Sequence, residues 1–491
     1  MPILSLHDRA HGDRLALVAD AEQRLTYRDL RRVVGQSRHL LEGRDKSLVA
    51  VFCDRDLDSV TAYLTSLSHG HACGFFGDIP GPVQTSLVAA YQPEFVVHRP
   101  RTVTAGWLGS GDYRHAGFLP GGAVVHRRRQ AVDGTIFASL ALLLATSGST
   151  GSPKVVRVSQ ANLEANAASI AKALGIDAAA RAITSLPLSH CYGLSVLNSH
   201  LAAGASVAVC ADRVLSARFW RKVAGHAVTS FAGVPAVYEL LRTRRFDPAR
   251  YPSLTTLTQA GGPLSEDHIG HYADLMERKG GSFWVMYGQT EATARITCLP
   301  PADRARRPGS VGRVIPGGRL SVEDPDGAPL PDGQPGTIVY YGPNVTLGYA
   351  QSRADLARGD LLGGRLVTGD LGYLRDGYLY LTGRARRLVK VLGYRIELDQ
   401  VEAAFAAAGP ARAVRGDGEN IVVFVEGSGA GHEEIRRQLC EQLGLPPGVL
   451  AVRPVEAIPV TRTGKADYGA LTKLAVSASA EGGDHDRAQR R

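Results

Sequence analysis

Between an apolar run, Leu140–Ala145, and a proline–lysine pair the chain reads Thr146-Ser147-Gly148-Ser149-Thr150-Gly151-Ser152-Pro153-Lys154. Glycines let backbone N–H groups approach an anion, small hydroxyls add donors without bulk, and the closing lysine adds charge. Phosphate binding is the chemistry that suits such a loop. It is not a Walker A loop, which ends in Gly-Lys-Ser/Thr so that lysine reaches the β- and γ-phosphates and a hydroxyl reaches magnesium. A flexible serine/glycine linker is the other reading. A linker, however, does not follow a buried strand and lead into a helix, and Ser159, Leu163, Ala167, Ile170, Leu174 and Gly175 predict a capped amphipathic helix directly after the loop. Strand, small-residue loop, helix is a common setting for phosphate sites.

Further short segments with polar or charged groups follow in order: Leu186-Pro187-Leu188-Ser189-His190, Tyr287-Gly288-Gln289-Thr290-Glu291, Thr368-Gly369-Asp370-Leu371-Gly372, Gly383-Arg384, Lys390-Val391-Leu392-Gly393-Tyr394-Arg395-Ile396-Glu397, and Thr463-Gly464-Lys465. Taken together with the loop, from about Leu25 to Lys465, they resemble the superfamily of adenylate-forming enzymes: acyl-CoA synthetases, adenylation domains of peptide synthetases, and luciferases.

The resemblance implies two half-reactions. A carboxylate attacks the α-phosphate of ATP, giving an acyl-adenylate and pyrophosphate, and a thiol then displaces AMP. Two anions must meet while charge builds on the phosphates, so donors and cations have to be in place beforehand. Carried onto this chain, the resemblance puts Thr146, Ser147, Gly148, Ser149, Thr150, Gly151 and Lys154 over the β- and γ-phosphates, and Thr290 on the α-phosphate. Glu291 is implied to hold Mg²⁺, a hard cation that prefers carboxylate oxygen. Asp370 is implied to accept the ribose hydroxyls, Arg384 to assist there or at phosphate, and Tyr287, beside Gly288, to stack on adenine. Lys465 matches the family's mobile lysine, a long flexible point charge suited to bridging carboxylate and α-phosphate. A small C-terminal domain is expected to swing about Arg386, where aspartate or lysine is usual, bringing Gly393 to the border of a thiol tunnel. Val155 and Gly336-Thr337-Ile338 also depart from the family pattern, and a proline–methionine element before the last lysine is missing. None of these departures removes a group with a role.

Relatives that activate amino acids place an aspartate near the Leu-Pro-Leu element for the α-ammonium. Here Ser189-His190-Cys191 offers no carboxylate, and an ammonium without a counter-charge is poorly held. The expected substrate is a carboxylic acid other than an α-amino acid, walled by His190, Phe231, Ala232, Val234, Gly262, Met286 and Thr293. His190 either borders the acid or packs the pocket entrance, and the mixed sizes leave aryl and medium aliphatic acids open. No phosphopantetheine attachment signature follows Lys465. The expected acceptor is therefore CoA in trans, with a separate carrier protein or an amine as alternatives. A non-catalytic nucleotide-binding relative is opposed by the joint presence of Lys154, Thr290, Glu291, Asp370 and Lys465.

The elements that must hold these groups read as α/β. Alternating short apolar runs and helical patterns fill residues 1 to about 135, and short strand candidates alternate with helices downstream. A glycine-, proline- and valine-rich texture around 310–350 suggests a small β subdomain, and Asp376-Gly377 between apolar runs signals a two-residue hairpin. The expected organisation is a large N-terminal domain over 1–383, a small mobile α+β domain over 384–475, and a disordered tail over 476–491. At 491 residues a multidomain chain is expected, and 44% hydrophobic with 21% charged residues is ordinary for a globular protein. No run approaches the ~20 apolar residues of a membrane span. The N-terminus lacks a secretory pattern, and Cys53, Cys73, Cys191, Cys210, Cys298 and Cys440 are scattered without metal or disulfide spacing; a reducing cytoplasm is the expected setting. The net charge of +9 and the run His126–Arg129 lack interleaved aromatics, which disfavours a nucleic-acid partner.

Overall fold

The computed structural model describes residues 12–19, 23–43, 45–100, 106–145, 154–384, 388–391, 394–416, 420–427, 429, 431–443, 445–461 and 466–482. The chain forms two compact units: one of residues 1–321, 339–367 and 375–380, the other of 322–338, 368–374 and 381–491. Both mix helices and strands, so the α/β class read from the sequence is the class observed.

One sheet of the first unit runs in the order Gly348–Ala350, Val155–Ser159, Leu140–Ala145, Ala72–Phe75, Leu48–Phe52, Phe95–His98, Val124–Arg128, Tyr113–Phe118. Its centre is parallel, and both faces are covered by apolar side chains. Val49, Val51, Cys73 and Phe75 belong to one core cluster, while Leu48, Ala50, Phe52 and Ala72 belong to another. This is the period-two alternation of a strand buried on both sides.

The helix expected directly after residues 146–153 begins later. Val155–Ser159 forms a further strand, antiparallel to Leu140–Ala145 with Ala145 opposite Val155, and the helix Gln160–Leu174 begins only after it. The β-branched residues Val155, Val156 and Val158 are fully buried, so packing takes them into the sheet before the helix begins. The helix start is itself closed by a capping box, Ser159 with Asn162, and its end by Gly175 in the left-handed region. Asn162 also donates to the carbonyls of Pro343 and Val345, tying this helix to the segment that leads to Tyr349.

A second sheet places the parallel strands Arg181–Ile183, Ser230–Gly233, Thr256–Gln259 and Ser282–Tyr287 side by side, followed by antiparallel Thr297–Leu299 and Ser310–Val314. Functional loops of such sheets emerge at the carboxyl ends of the strands, and Tyr287-Gly288-Gln289-Thr290-Glu291 does so here. The strands Arg365–Arg375 and Tyr378–Arg384 flank Asp376 and Gly377, whose φ values of 52° and 76° fit the two-residue hairpin turn.

Within the second unit, Leu388–Val391 and Tyr394–Glu397 form a hairpin. Ala411–Arg415, Ile421–Glu426 and Leu450–Val455 form a three-stranded sheet, and its core includes Val401, Phe405, Val423, Val425 and Leu439.

Candidate active site

Strand pairing brings the first cluster of candidate residues together. Tyr349 lies opposite Val156, and Ala350 opposite Val155, so the short strand Gly348–Ala350 runs beside the strand Val155–Ser159 that follows Lys154. Lys154 Nζ stands 3.7 Å from the centre of the Tyr349 ring, well inside cation–π range. Tyr349 Oη donates to Glu291 Oε1 at 2.6 Å, and Thr346 N–H donates to the Glu291 carbonyl at 3.0 Å. A cation from one sequence segment and a carboxylate from another are thus joined through one phenol. Behind them, the fully buried Arg157 donates to the carbonyls of Leu347 (2.7 Å), Tyr349 (3.2 Å), Gly359 (3.0 Å) and Arg358. Four carbonyls on one rigid guanidinium fix the segment that carries Tyr349.

The turn after Tyr287 is tightly constrained. A Cβ on Gly288 would stand 1.9 Å from the Ala294 carbonyl oxygen and 2.9 Å from Arg295 Cα, so only glycine fits. Thr293 and Ala294 adopt positive φ, 54° and 120°, a cost for L-residues that the surroundings have to overcome. Asn344 supplies much of that support. Its side chain donates to the carbonyls of Ala292 (2.7 Å) and Arg295 (2.9 Å), and its carbonyl accepts from Thr293 Oγ1 at 2.6 Å. Thr290 Oγ1 lies 3.4 Å from Cys191 Sγ, at the start of the helix Cys191–Ala202.

That helix start is set by His190, whose Nδ1 accepts from Tyr192 N–H at 3.3 Å; a neutral ring in this role carries its proton on Nε2. The segment before it hangs on Asp54, which accepts from Leu188 N–H (2.7 Å), Ser189 N–H (3.4 Å) and Ser189 Oγ (2.7 Å). Burial raises the Asp54 carboxyl above the usual range, and these donors oppose the rise.

In the second unit, the buried Asp370 donates its backbone N–H to Thr368 Oγ1 at 3.1 Å, and its carboxylate pairs with Arg384 Nε at 3.0 Å. Arg384 is largely exposed, with 66% of its side chain accessible, so the pair is a weak anchor in energy while still orienting the carboxylate.

Of the pocket residues read from sequence, Phe231, Ala232 and Met286 line a cavity of about 280 Å³ between the second sheet and the helices Gln160–Leu174 and Cys191–Ala202. His190, Val234, Gly262 and Thr293 do not line it; Thr293 is held by Asn344, and Gly262 accepts from Gln259 Nε2 at 2.7 Å. Thr146, Ser147, Gly148, Ser149, Thr150, Gly151, Arg386, Gly393 and Lys465 lie outside the described residues. Sequence reading missed Tyr349, Asp54, Asn344 and Arg295. Tyr349 and Asp54 act on residues 58 and 134–135 positions away, a pairing that local pattern does not carry.

Comparison with known proteins places the chain among relatives. Residues 120–350 match the model of the AMP-binding enzyme family. The chain is 36% identical over 54% of its length, and 51% of the relative's, to a sulfoacetate–CoA ligase of Cupriavidus necator. It is 30% identical to a feruloyl-CoA synthase of an Amycolatopsis species over 66% of this chain and 67% of that one. It spans about half to two thirds of the length of the curated relatives it matches. The fold matches that of Bacillus subtilis O-succinylbenzoate coenzyme A synthetase, solved with ATP and magnesium, at a TM-score of 0.73 and 22% identity, covering 96% of this chain and 99% of that one. The chain belongs to the AMP-binding enzymes of the adenylate-forming superfamily, the acyl-CoA synthetase group.

Proposed function

We infer that the protein activates a carboxylic acid other than an α-amino acid, consuming ATP to form an acyl-adenylate and pyrophosphate, and then passes the acyl group to the thiol of CoA. The observation that carries this reading is the Lys154–Tyr349–Glu291 arrangement, which brings a phosphate-seeking cation and a metal-seeking carboxylate to one place. Names of relatives that are CoA ligases support the acceptor. Those relatives act on acids as different as sulfoacetic and ferulic, so they do not fix the acid.

Mg²⁺ in phosphoryl-transfer sites keeps waters and takes one or two carboxylates plus substrate phosphates. Glu291 fits that donor set: it is half-buried, one oxygen accepts from Tyr349, and the other accepts nothing among the described residues. There the metal would neutralise charge on the phosphates. Lys154, held over the Tyr349 ring, would meet the β- and γ-phosphates together with residues 146–151, and Thr290 would donate to the α-phosphate. Tyr287 and Gly288 would border the adenine, and Asp370, oriented by Arg384, would accept the ribose hydroxyls. Lys465 would bridge carboxylate and α-phosphate from a C-terminal domain that begins near residue 384 and turns about Arg386, with Gly393 beside the thiol path. His190, Phe231, Ala232, Gly262 and Met286 are the proposed walls of the acid site. No described helix is long and apolar enough to cross a membrane, and the six cysteines are all buried as free thiols, in keeping with a cytoplasmic enzyme.

Hydroxamate trapping across a panel of aryl and aliphatic acids, repeated with CoA and with purified carrier proteins, tests this reading. Acid-dependent hydroxamate, and thioester with CoA, are expected. An absence of hydroxamate from every acid overturns the activation step, and thioester on a carrier protein but not on CoA reassigns the acceptor.

A further inference from the structure

The cavity behind the Tyr287–Glu291 turn contains an arginine that no described residue neutralises. Arg295 is only 2% exposed and lines the cavity, yet its Nε has no hydrogen-bond partner, and among the described residues its guanidinium meets neither a carboxylate nor any other acceptor. Its one close neighbour of note is the Tyr192 ring, 4.8 Å from the guanidinium carbon. The backbone around it is rigid: the Arg295 carbonyl accepts from Asn344 and Asn166, and its Cα packs against Gly288.

A buried cation without a partner is costly, and it persists where a ligand completes it. The other titratable groups lining the cavity do not supply the missing charge. Asp177 is exposed at the cavity's edge, with Oδ1 accepting from the N–H groups of Ala179 and Ala180. His200 is neutral; burial lowers it to about 4, and its rings bond Val196 and Ser230. The remaining wall is apolar (Ile170, Val196, Phe231, Met286) with scattered hydroxyls. Lys154, Thr290 and Glu291 are absent from the lining, so the group that meets Arg295 is separate from the carboxylate that reacts beside them.

We propose that the acid carries a second anionic group, a carboxylate or sulfonate remote from the reacting carboxylate, and that Arg295 receives it in this cavity. The inference rests on the acid-activating reading above and narrows it to doubly charged acids. Ring-stacked Arg295 offers a planar fork suited to a bidentate anion, with Tyr192 holding the plane and Thr258 fixing Tyr192 through its hydroxyl at 2.8 Å.

The test measures acid-dependent pyrophosphate release, as kcat/KM, for acids matched in size: succinate against butyrate, glutarate against pentanoate, 3-sulfopropionate against butyrate, and terephthalate against 4-methylbenzoate. In at least one pair the doubly charged member is expected to lead by about 100-fold, the scale of a charge-assisted pair formed at an otherwise unpaired buried charge. Arg295→Leu is expected to collapse or invert that ratio, and Arg295→Lys to keep part of it. A purely structural arginine would change the rates of both members together and leave the ratio alone, which overturns the proposal. So does a wild-type preference for the singly charged member of every pair, even if Arg295→Leu does not fold. If singly charged acids release pyrophosphate and doubly charged ones do not, the activation reading stands and this inference fails. If neither class does, both fail.

Discussion

At the scale of single residues, the proposed chemistry rests on contacts that hold charged groups in place before any substrate arrives. Tyr349 illustrates this, because its ring lies under Lys154 while its hydroxyl holds Glu291. Tyr349→Phe keeps the ring and deletes the hydroxyl, so one charge-assisted hydrogen bond is lost. The expected result is a fall of about 10-fold in acid-dependent pyrophosphate exchange, the scale of a bond worth about 1.5 kcal/mol, with a shift in the Mg²⁺ dependence and little change in folding. An unchanged Mg²⁺ dependence would separate Tyr349 from Glu291. Asp54 acts on stability instead. Asp54→Ala leaves two N–H groups and a hydroxyl without their acceptor, and a loss of about 2–4 kcal/mol is expected in urea unfolding of the first unit. Lys154, Thr290 and Glu291 are candidates in the sequence through the resemblance that their short segments carry together. Tyr349 and Asp54 are not, since what makes them matter is a partner brought near only by folding.

At the scale of elements, the turn joining Tyr287 to Ile296 depends on close backbone packing. Gly288→Ala would press a methyl onto the Ala294 carbonyl, and because both partners are backbone no rotamer change relieves it. The expected outcome is loss of adenylation together with a lowered thermal midpoint; full activity would show that the turn tolerates a shift the packing forbids. Sequence pattern located the strands Leu140–Ala145 and Phe95–His98 and the hairpin at Asp376-Gly377, where apolar runs meet strong turn residues. It missed the strand Val155–Ser159, because five residues between a loop and an N-cap look like the approach to a helix until their sheet partners are known. The consequence is physical: the strands on either side of residues 146–153 pair antiparallel, and the N-terminus of the helix that follows them is occupied by its own capping box.

At the scale of the molecule, titration of buried groups sets a pH limit on the first unit. His200 donates from Nδ1 to a carbonyl and accepts at Nε2 from Ser230, and burial lowers it from 6.5 to about 4. Its folded form therefore binds fewer protons than the unfolded chain between those values. The stability this group contributes is present above about pH 6.5 and is lost as pH falls towards 4, by about 3 kcal/mol in all. Urea midpoints measured from pH 7 to 4.5 should fall, and the fall should be shallower in His200→Gln; a midpoint that rises on acidification contradicts the assignment. His126, lowered to about 4 by burial and by His98 and His115, adds a slope of the same sign.

The account as a whole depends on where ATP is cut. The direct measurement is the set of products formed by wild-type protein with ATP, Mg²⁺, CoA and an acid chosen from the trapping screen, separated and quantified together. One AMP and one pyrophosphate per acyl-CoA, none without the acid, is the predicted result. ADP and inorganic phosphate in their place, or AMP formed at the same rate with no acid present, would contradict it.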